Sequence, residues 1–289
     1  MTEPARRGFS RSREPAWLKW LLIGIVYLIV VVLIIVPLLQ VFSIALSAGW
    51  NAFVQKALVD PDSLHAMWMT FVVSSISVTI NIFFGVALAW AVARFQFPGR
   101  TLLISMVDLP FAISPVAVGL MFMLLFGRQG FFGSTLEEWG IEIVFSTPGL
   151  ILATTFVTLP FIARELIPVM EAIGPDEELA AITLGASGWQ MFWLVTIPNI
   201  RWALLYGVIL CTARAMGEFG AVSVLSGKIA GSTETMPLRV DKLFHEHDEP
   251  GAFAVASILT LFALMTLIAK AALEHWVLAS IKKPDADEL

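Results

Sequence analysis

Two charged residues in an otherwise apolar stretch are the first candidates for chemistry: Arg214 and Glu218, four apart within 201–226. Side chains at i and i+4 share a helix face, so a helix there brings guanidinium and carboxylate within reach of each other. Gly207, Cys211, Arg214 and Glu218 follow at spacings of four, three and four, a small and polar stripe that belongs against other helices rather than lipid. Charge at membrane depth is rare and faces the bundle interior, so the pair either neutralises itself structurally or offers its cation to a polar path. Asp108 lies about two turns inside its own apolar stretch, and a structural partner such as an arginine accounts for it best. Ser74, Ser75, Ser77, Thr79 and Asn81 form a polar run that bonds a neighbouring helix or lines a path.

Enzymatic motifs fail on inspection. Gly220 to Lys228 contains a Gly-Lys pair, but the spacing is wrong for a P-loop and Ile229 stands where serine or threonine is required. His245-Glu246-His247 lacks the His-Glu-x-x-His spacing, and histidines two apart on a helix point different ways, so they read as loop surface. No metal-ligating set, cofactor motif or nucleic-acid surface is read, and the expectation is a non-catalytic chain. Cys211 is the single cysteine, so no intrachain disulfide can form and a core thiol is the plain reading.

The elements that must position these groups follow from composition. Of 289 residues, 58% are hydrophobic and 14% charged, against about 25% charged in soluble domains, which excludes a water-soluble class. Six stretches, near 20–46, 66–93, 102–126, 148–168, 201–226 and 252–281, each meet the roughly 20 apolar residues a helix needs to cross a bilayer. Lipid cannot satisfy bare backbone groups and nothing alternates like a barrel strand, so the expected fold class is all-α, a polytopic membrane protein. Arg6, Arg7 and Phe9 have the look of a twin-arginine signal, but the following apolar run is about twice a signal core, so an uncleaved anchor is expected.

Basic residues favour the cytoplasmic side. Arg6, Arg7, Arg11, Arg13, Lys19, Arg94, Arg100, Arg164, Arg201, Lys282 and Lys283 fall on one side, and Lys56, Arg128, Lys228, Arg239 and Lys242 on the other. Both tails, 1–19 and 282–289, are then cytoplasmic, and so is the loop 164–200. The outer loops, 127–147 and 227–251, carry turn formers, acids and aromatics and could receive a partner.

Within 164–200, Gly174-Pro175-Asp176-Glu177-Glu178 reads as a helix start, with proline at the first position and acids opposing the dipole. Leu179 to Leu184 continue the helix, Gly185 permits a stop, and Ser187-Gly188-Trp189-Gln190 matches a capping box that opens a second helix before Pro198. Helix, glycine turn, helix makes a compact knob.

These residues carry a resemblance. Leu179-Ala180-Ala181 with Gly185, then Val195-Thr196-Ile197-Pro198, is similar to the EAA loop of bacterial ABC-importer permeases, except that Leu179 stands at the glutamate position and Glu178 falls one residue early. The resemblance implies the fold of type I ABC-importer permeases and assigns Glu178, Leu179, Ala180, Ala181, Gly185 and Pro198 to coupling with a cytoplasmic ATPase. Asp108-Leu109-Pro110-Phe111 with Ser114-Pro115 and Gly119-Leu120-Met121 resembles the third helix of sulfate and molybdate permeases, and Arg214-Ala215-Met216-Gly217-Glu218-Phe219-Gly220-Ala221 resembles their fifth. With Pro198-Asn199-Ile200-Arg201-Trp202 and Leu205-Tyr206-Gly207, the pattern is most similar to W-type permeases of sulfate/thiosulfate importers. The resemblance implies a homologous T-type permease as heterodimer partner, two ATPase copies, a periplasmic sulfate-binding protein and a bacterial inner membrane location. It leaves Arg214 either as a structural pair with Glu218 or as positive potential for a translocating dianion. Molybdate transport, or a self-sufficient secondary transporter resting on Asp108 and Glu218, is the alternative.

Overall fold

The computed structural model describes the backbone of residues 16–281 and the side chains of 17–276; the tail basic residues invoked for topology, apart from Lys19, lie outside that range. Its elements are α1 (Ala16–Val30), continuing through a π-helical turn at Val31–Ile35 into α2 (Val36–Ala45), then α3 (Trp50–Val54), α4 (Pro61–Arg94), α5 (Arg100–Ala112), α6 (Pro115–Phe126) and α7 (Gly133–Glu138). There follow α8 (Thr147–Ile173), α9 (Asp176–Thr183), α10 (Gly188–Met191), which runs through a π-helical turn at Phe192–Thr196 into α11 (Ile197–Met216) so that helix continues past Pro198 instead of ending there, α12 (Gly220–Leu225), α13 (Met236–His245) and α14 (Glu249–Ile281). The fold is all-α among the described residues. Helix begins at Ala16, inside the stretch read from sequence as a tail.

Among the described residues, five helical segments are long and apolar enough to cross a membrane, and a sixth if the bent pair α5 and α6 is one span. At the centre, α4 packs along α8, and α11 lies beside both. Glycine permits this approach. A Cβ on Gly85 would lie 2.8 Å from the Ile162 side chain, and one on Gly207 would lie 3.3 Å from the Ile162 Cα, so small residues let three backbones meet. The polar run on α4 serves the same contact: Ser77 donates to the Ile151 carbonyl at 3.1 Å, and Asn81 donates to Thr158 Oγ1 at 2.8 Å. Ser75 and Thr79 face outward instead.

Two expected spans are interrupted. The third breaks at Ile113-Ser114, where Pro110 lies inside α5 and Pro115 opens α6, and the halves bend by 108°. Proline explains the break, because it lacks the amide donor and clashes with the preceding turn. The fifth stops at Met216, and Gly217, Glu218 and Phe219 separate α11 from the short α12. The two breaks face each other, since a Cβ on Gly220 would lie 2.7 Å from Pro115 Cβ and one on Gly119 would lie 2.8 Å from the Ala221 carbonyl oxygen. Interrupted helices of this kind are tolerated at depth only inside protein or along a cavity.

Candidate coupling knob and translocation site

The knob forms as its caps dictate. Asp176, Glu177 and Glu178 occupy the first turn of α9, Gly185 turns the chain at φ +92°, and Ser187 and Gln190 complete a reciprocal capping box at α10. A left-handed residue after a helix is a glycine position because a Cβ is strained there. Leu184 is 89% exposed and Leu179 is 55% exposed, beside an exposed Trp189, so the knob carries an uncovered apolar surface. Ala180, Gly185 and Pro198 are exposed with it, and Ala181 is half-buried.

Glu178 behaves differently from the other five residues grouped with it. Its carboxylate points inward, 91% buried, against Arg94 at the end of α4: Arg94 Nε donates to Oε2 at 2.8 Å and Nη2 to Oε1 at 3.2 Å. Thr196 Oγ1 donates to Oε1 at 2.8 Å, and Arg94 Nη1 donates to the Met170 carbonyl at 2.7 Å, in the last turn of α8. A cation there also suits the negative end of the α8 dipole. One residue of helical offset is about 100°, which is why Leu179 faces out while Glu178 faces in. Arg94 and Thr196 were invisible as site residues in the sequence, because their pairing spans 84 and 18 positions.

Arg214 and Glu218 do meet, with Nη1 2.6 Å from Oε2. The acid is 1% exposed and the cation 33%. Glu218 occupies the gap between α11 and α12, and its Oε1 accepts from the Ala221 N–H at 3.0 Å, one of the first-turn donors that no helical carbonyl reaches. The carboxylate is therefore held by its backbone mount, and the guanidinium projects from it. Asp108 finds the arginine expected for it: Arg164 Nε lies 2.8 Å from Oδ1, and Nη2 donates to Oδ2 at 3.2 Å.

At the end opposite the knob, the segment 227–251 is folded into the bundle more than a plain surface loop would be. Met236 N donates to Thr70 Oγ1 at 2.8 Å, and Thr233, Glu234, Thr235 and Arg239 are buried. Arg239 donates to Asp60 at 2.8 Å and to Asp62 at 3.4 Å. Glu234 lies 3.6 Å from both Arg239 and Lys242, without a hydrogen bond to either oxygen. Burial pushes its carboxyl above the ordinary value against the pull of those two cations. For Asp60 burial also acts upward, but hydrogen bonds from Ser63 and the nearby Arg239 outweigh it and hold the carboxyl below its ordinary value. His245 is an exposed residue of this segment, bonded to the Asp241 carbonyl.

Residues 81–278 match the profile of the family described as binding-protein-dependent transport system inner membrane component. The chain belongs to this family. As a binding-protein-dependent transport system inner membrane component, it is a multi-pass membrane protein with the fold of ABC-importer permeases. It is 51% identical over 272 residues to the sulfate transport system permease protein CysW of Escherichia coli K12, covering 94% of this chain and 93% of that protein. It is 49% identical to sulfate permease 2, chloroplastic, of Chlamydomonas reinhardtii, over 92% of this chain and 72% of that protein. A more distant relative is the permease protein CysT of Escherichia coli K12, 35% identical over 85% of this chain and 88% of that one. Among solved structures, a bacterial ABC transporter involved in import of the acidic polysaccharide alginate superposes with a TM-score of 0.72 at 17% identity, over 90% of this chain and 94% of that one, a likeness of fold.

Proposed function

We propose that this chain is the W-type permease subunit of an ATP-driven sulfate/thiosulfate importer, forming half of the pathway beside a T-type permease. The observation that carries the ATP-driven class is the braced knob: a helix–Gly185–helix element with exposed Leu179, Leu184 and Trp189, tied to the ends of α4 and α8 by the buried Arg94–Glu178 pair. An apolar patch on a rigid mount is what a docking partner needs. The partner is a cytoplasmic ATPase present in two copies, and the family's name implies a binding protein on the other side, here a periplasmic sulfate-binding protein. The likeness to relatives named sulfate permeases supports the anion.

The chain itself is non-catalytic; its work is mechanical. ATPase closure moves the knob, the Arg94 brace transmits the motion to α4 and α8, and the broken helices around Glu218 rearrange. Arg214, projecting from a buried carboxylate, supplies positive potential to the passing dianion. The bacterial inner membrane is the location, with both termini and the knob cytoplasmic. Cysteine labelling tests the sidedness: a label at Ser187 should react from the cytoplasm and one at Ser232 from outside.

Co-expression with candidate partners, reconstitution in proteoliposomes and assay of ATP hydrolysis with and without sulfate-loaded binding protein tests the function. A stable complex whose hydrolysis rises with sulfate is expected. Purification of the chain without any ATPase, with uptake driven by an ion gradient, would mean a secondary transporter.

A further inference from the structure

Three arginine–carboxylate pairs gather at the knob end, and they differ in what their guanidinium groups have left to offer. Arg94 is 9% exposed, engaging Glu178 through Nε and Nη2 and the Met170 carbonyl through Nη1. Arg100 donates from Nε to the Val92 carbonyl at 2.9 Å and from Nη2 to Glu171 at 2.5 Å, tying down the start of α5. Arg164 is 57% exposed and touches Asp108 through Nε and Nη2 alone. Its Nη1 has no hydrogen bond among the described residues, and its guanidinium lies 4.8 Å from the centroid of the Phe111 ring.

The pair lines a cleft of 290 Å³ whose other walls are apolar: Leu88, Val92, Ile104, Val107, Ala163, Ile167 and Pro168. Among the described residues, Asp108 and Arg164 are its only charged lining residues. In apolar surroundings the attraction between a guanidinium and an anion is stronger than in water. Arginine also presents a planar fork that matches two oxygens of an oxyanion, and stacking on an aromatic ring keeps that plane presented.

The depth of Arg164 follows from the register of α8 and α11. Gly207 packs at Ile162, and Cys211 reaches the Thr158 carbonyl, so in this antiparallel pair Arg164 is level with about residue 205. Arg214 then lies about nine residues, roughly 14 Å, further from the knob at 1.5 Å per residue. Two arginines thus present donors at two depths, each partnered by its own carboxylate.

We infer that Arg164 is a second station for the translocated oxyanion, at the knob-side mouth of the path, and that Asp108 holds its guanidinium in place between passages and competes the anion away. The ligand class is a tetrahedral dianion of sulfate type. This inference rests on the importer reading above. The carboxylate makes the station weak by design: an anion retained by an uncompensated arginine would not leave.

The test uses the assembled importer in proteoliposomes, with labelled sulfate uptake and ATP hydrolysis measured in parallel. Arg164→Gln should lower uptake at least tenfold while complex assembly and binding-protein-stimulated hydrolysis persist. Arg164→Lys keeps the charge without the fork and should raise the KM for sulfate several-fold with a smaller change in maximal rate. Asp108→Asn leaves the cation uncompensated and should hold sulfate more tightly, lowering its KM several-fold together with the maximal rate. A structural pair predicts something else: equal losses from Asp108→Asn and Arg164→Gln, and recovery of uptake in the double variant Asp108→Asn with Arg164→Gln. That recovery would overturn the station, as would an unchanged sulfate KM in Arg164→Lys. Should Arg164→Gln fail to assemble, the sulfate KM decides: raised in Arg164→Lys and lowered in Asp108→Asn for a station, unchanged in both for a structural pair. Absence of sulfate uptake in the wild-type complex would instead count against the importer reading itself.

Discussion

Two arginine–glutamate pairs of this chain use the same chemistry for opposite ends. In Arg94–Glu178 both side chains are 9% exposed, and the guanidinium is shared between a carboxylate on the knob and a carbonyl at the end of α8. In Arg214–Glu218 the acid is hidden more deeply still, at 1% exposed, but the arginine is 33% exposed. A saturated arginine is a joint: it fixes three segments and offers nothing further. An arginine held from one side by a buried acid presents the rest of its fork, and such a group can act on a ligand. On the proposed function, the position of the cation relative to the surface, rather than the identity of the pair, would separate mechanical from electrostatic duty.

The largest effect is expected from breaking the joint. Arg94→Gln strands the buried Glu178 carboxylate, a change of about 3–5 kcal/mol when one partner of a buried pair is removed. The knob should lose its fixed position, and ATPase co-purification and sulfate uptake should fall together, each at least tenfold. Normal ATPase recruitment in this variant would refute the brace.

Arg214→Gln should separate the two duties, because assembly and ATPase recruitment remain while uptake falls about tenfold or more. The double variant Arg214→Gln with Glu218→Gln sharpens the claim: restored folding with dead uptake is the electrostatic outcome. Restored uptake would reduce the pair to structure.

Gly185→Val should have a smaller effect on the fold and a selective one on coupling. A Cβ at Gly185 meets nothing within 4 Å, so the cost is the φ of +92°, not a clash, of order 1–3 kcal/mol for a strained backbone. The variant should reach the membrane at normal levels yet recover less ATPase on purification. Full uptake in both Gly185→Val and Gly185→Asp would exclude a close contact at this turn.

The smallest effect is expected in the network opposite the knob, followed as thermal unfolding against pH in detergent. Glu234 has a raised carboxyl, so its contribution to stability is fully present below the unfolded value near 4.5 and is lost as pH rises through the folded one. Glu234→Gln should therefore flatten the decline toward neutral pH. Asp60, held low, contributes above the unfolded value near 3.8 and loses that contribution as pH falls, so Asp60→Asn should lose stability at neutral pH. An unchanged pH profile in both variants would show that the network does not titrate with unfolding.

Much of the knob was legible because its signals are local. The capping box Ser187–Gln190 spans three residues, the left-handed turn needs only Gly185, and acids at the start of α9 answer the backbone of the same turn. The i,i+4 pair Arg214–Glu218 was legible for the same reason. The inward turn of Glu178 was not: the neighbouring Leu179 occupies the motif position, and what decides the matter is an arginine 84 residues earlier. Nor did hydropathy distinguish a continuous span over 102–126 from two helices bent by 108°, since apolarity counts residues and ignores direction.

From the sequence alone came the membrane, the helical class, the number of apolar segments and the local caps. Each depends on a residue's own transfer free energy or on neighbours within one turn. The tertiary structure alone decided which carboxylate meets which arginine, Asp108 with Arg164 across 56 residues and Asp60 with Arg239 across 179, and how much of each cation is left uncovered. Those outcomes depend on how α5 packs on α8 and α13 on α4, and a contact between distant segments is set by the shapes of both surfaces at once.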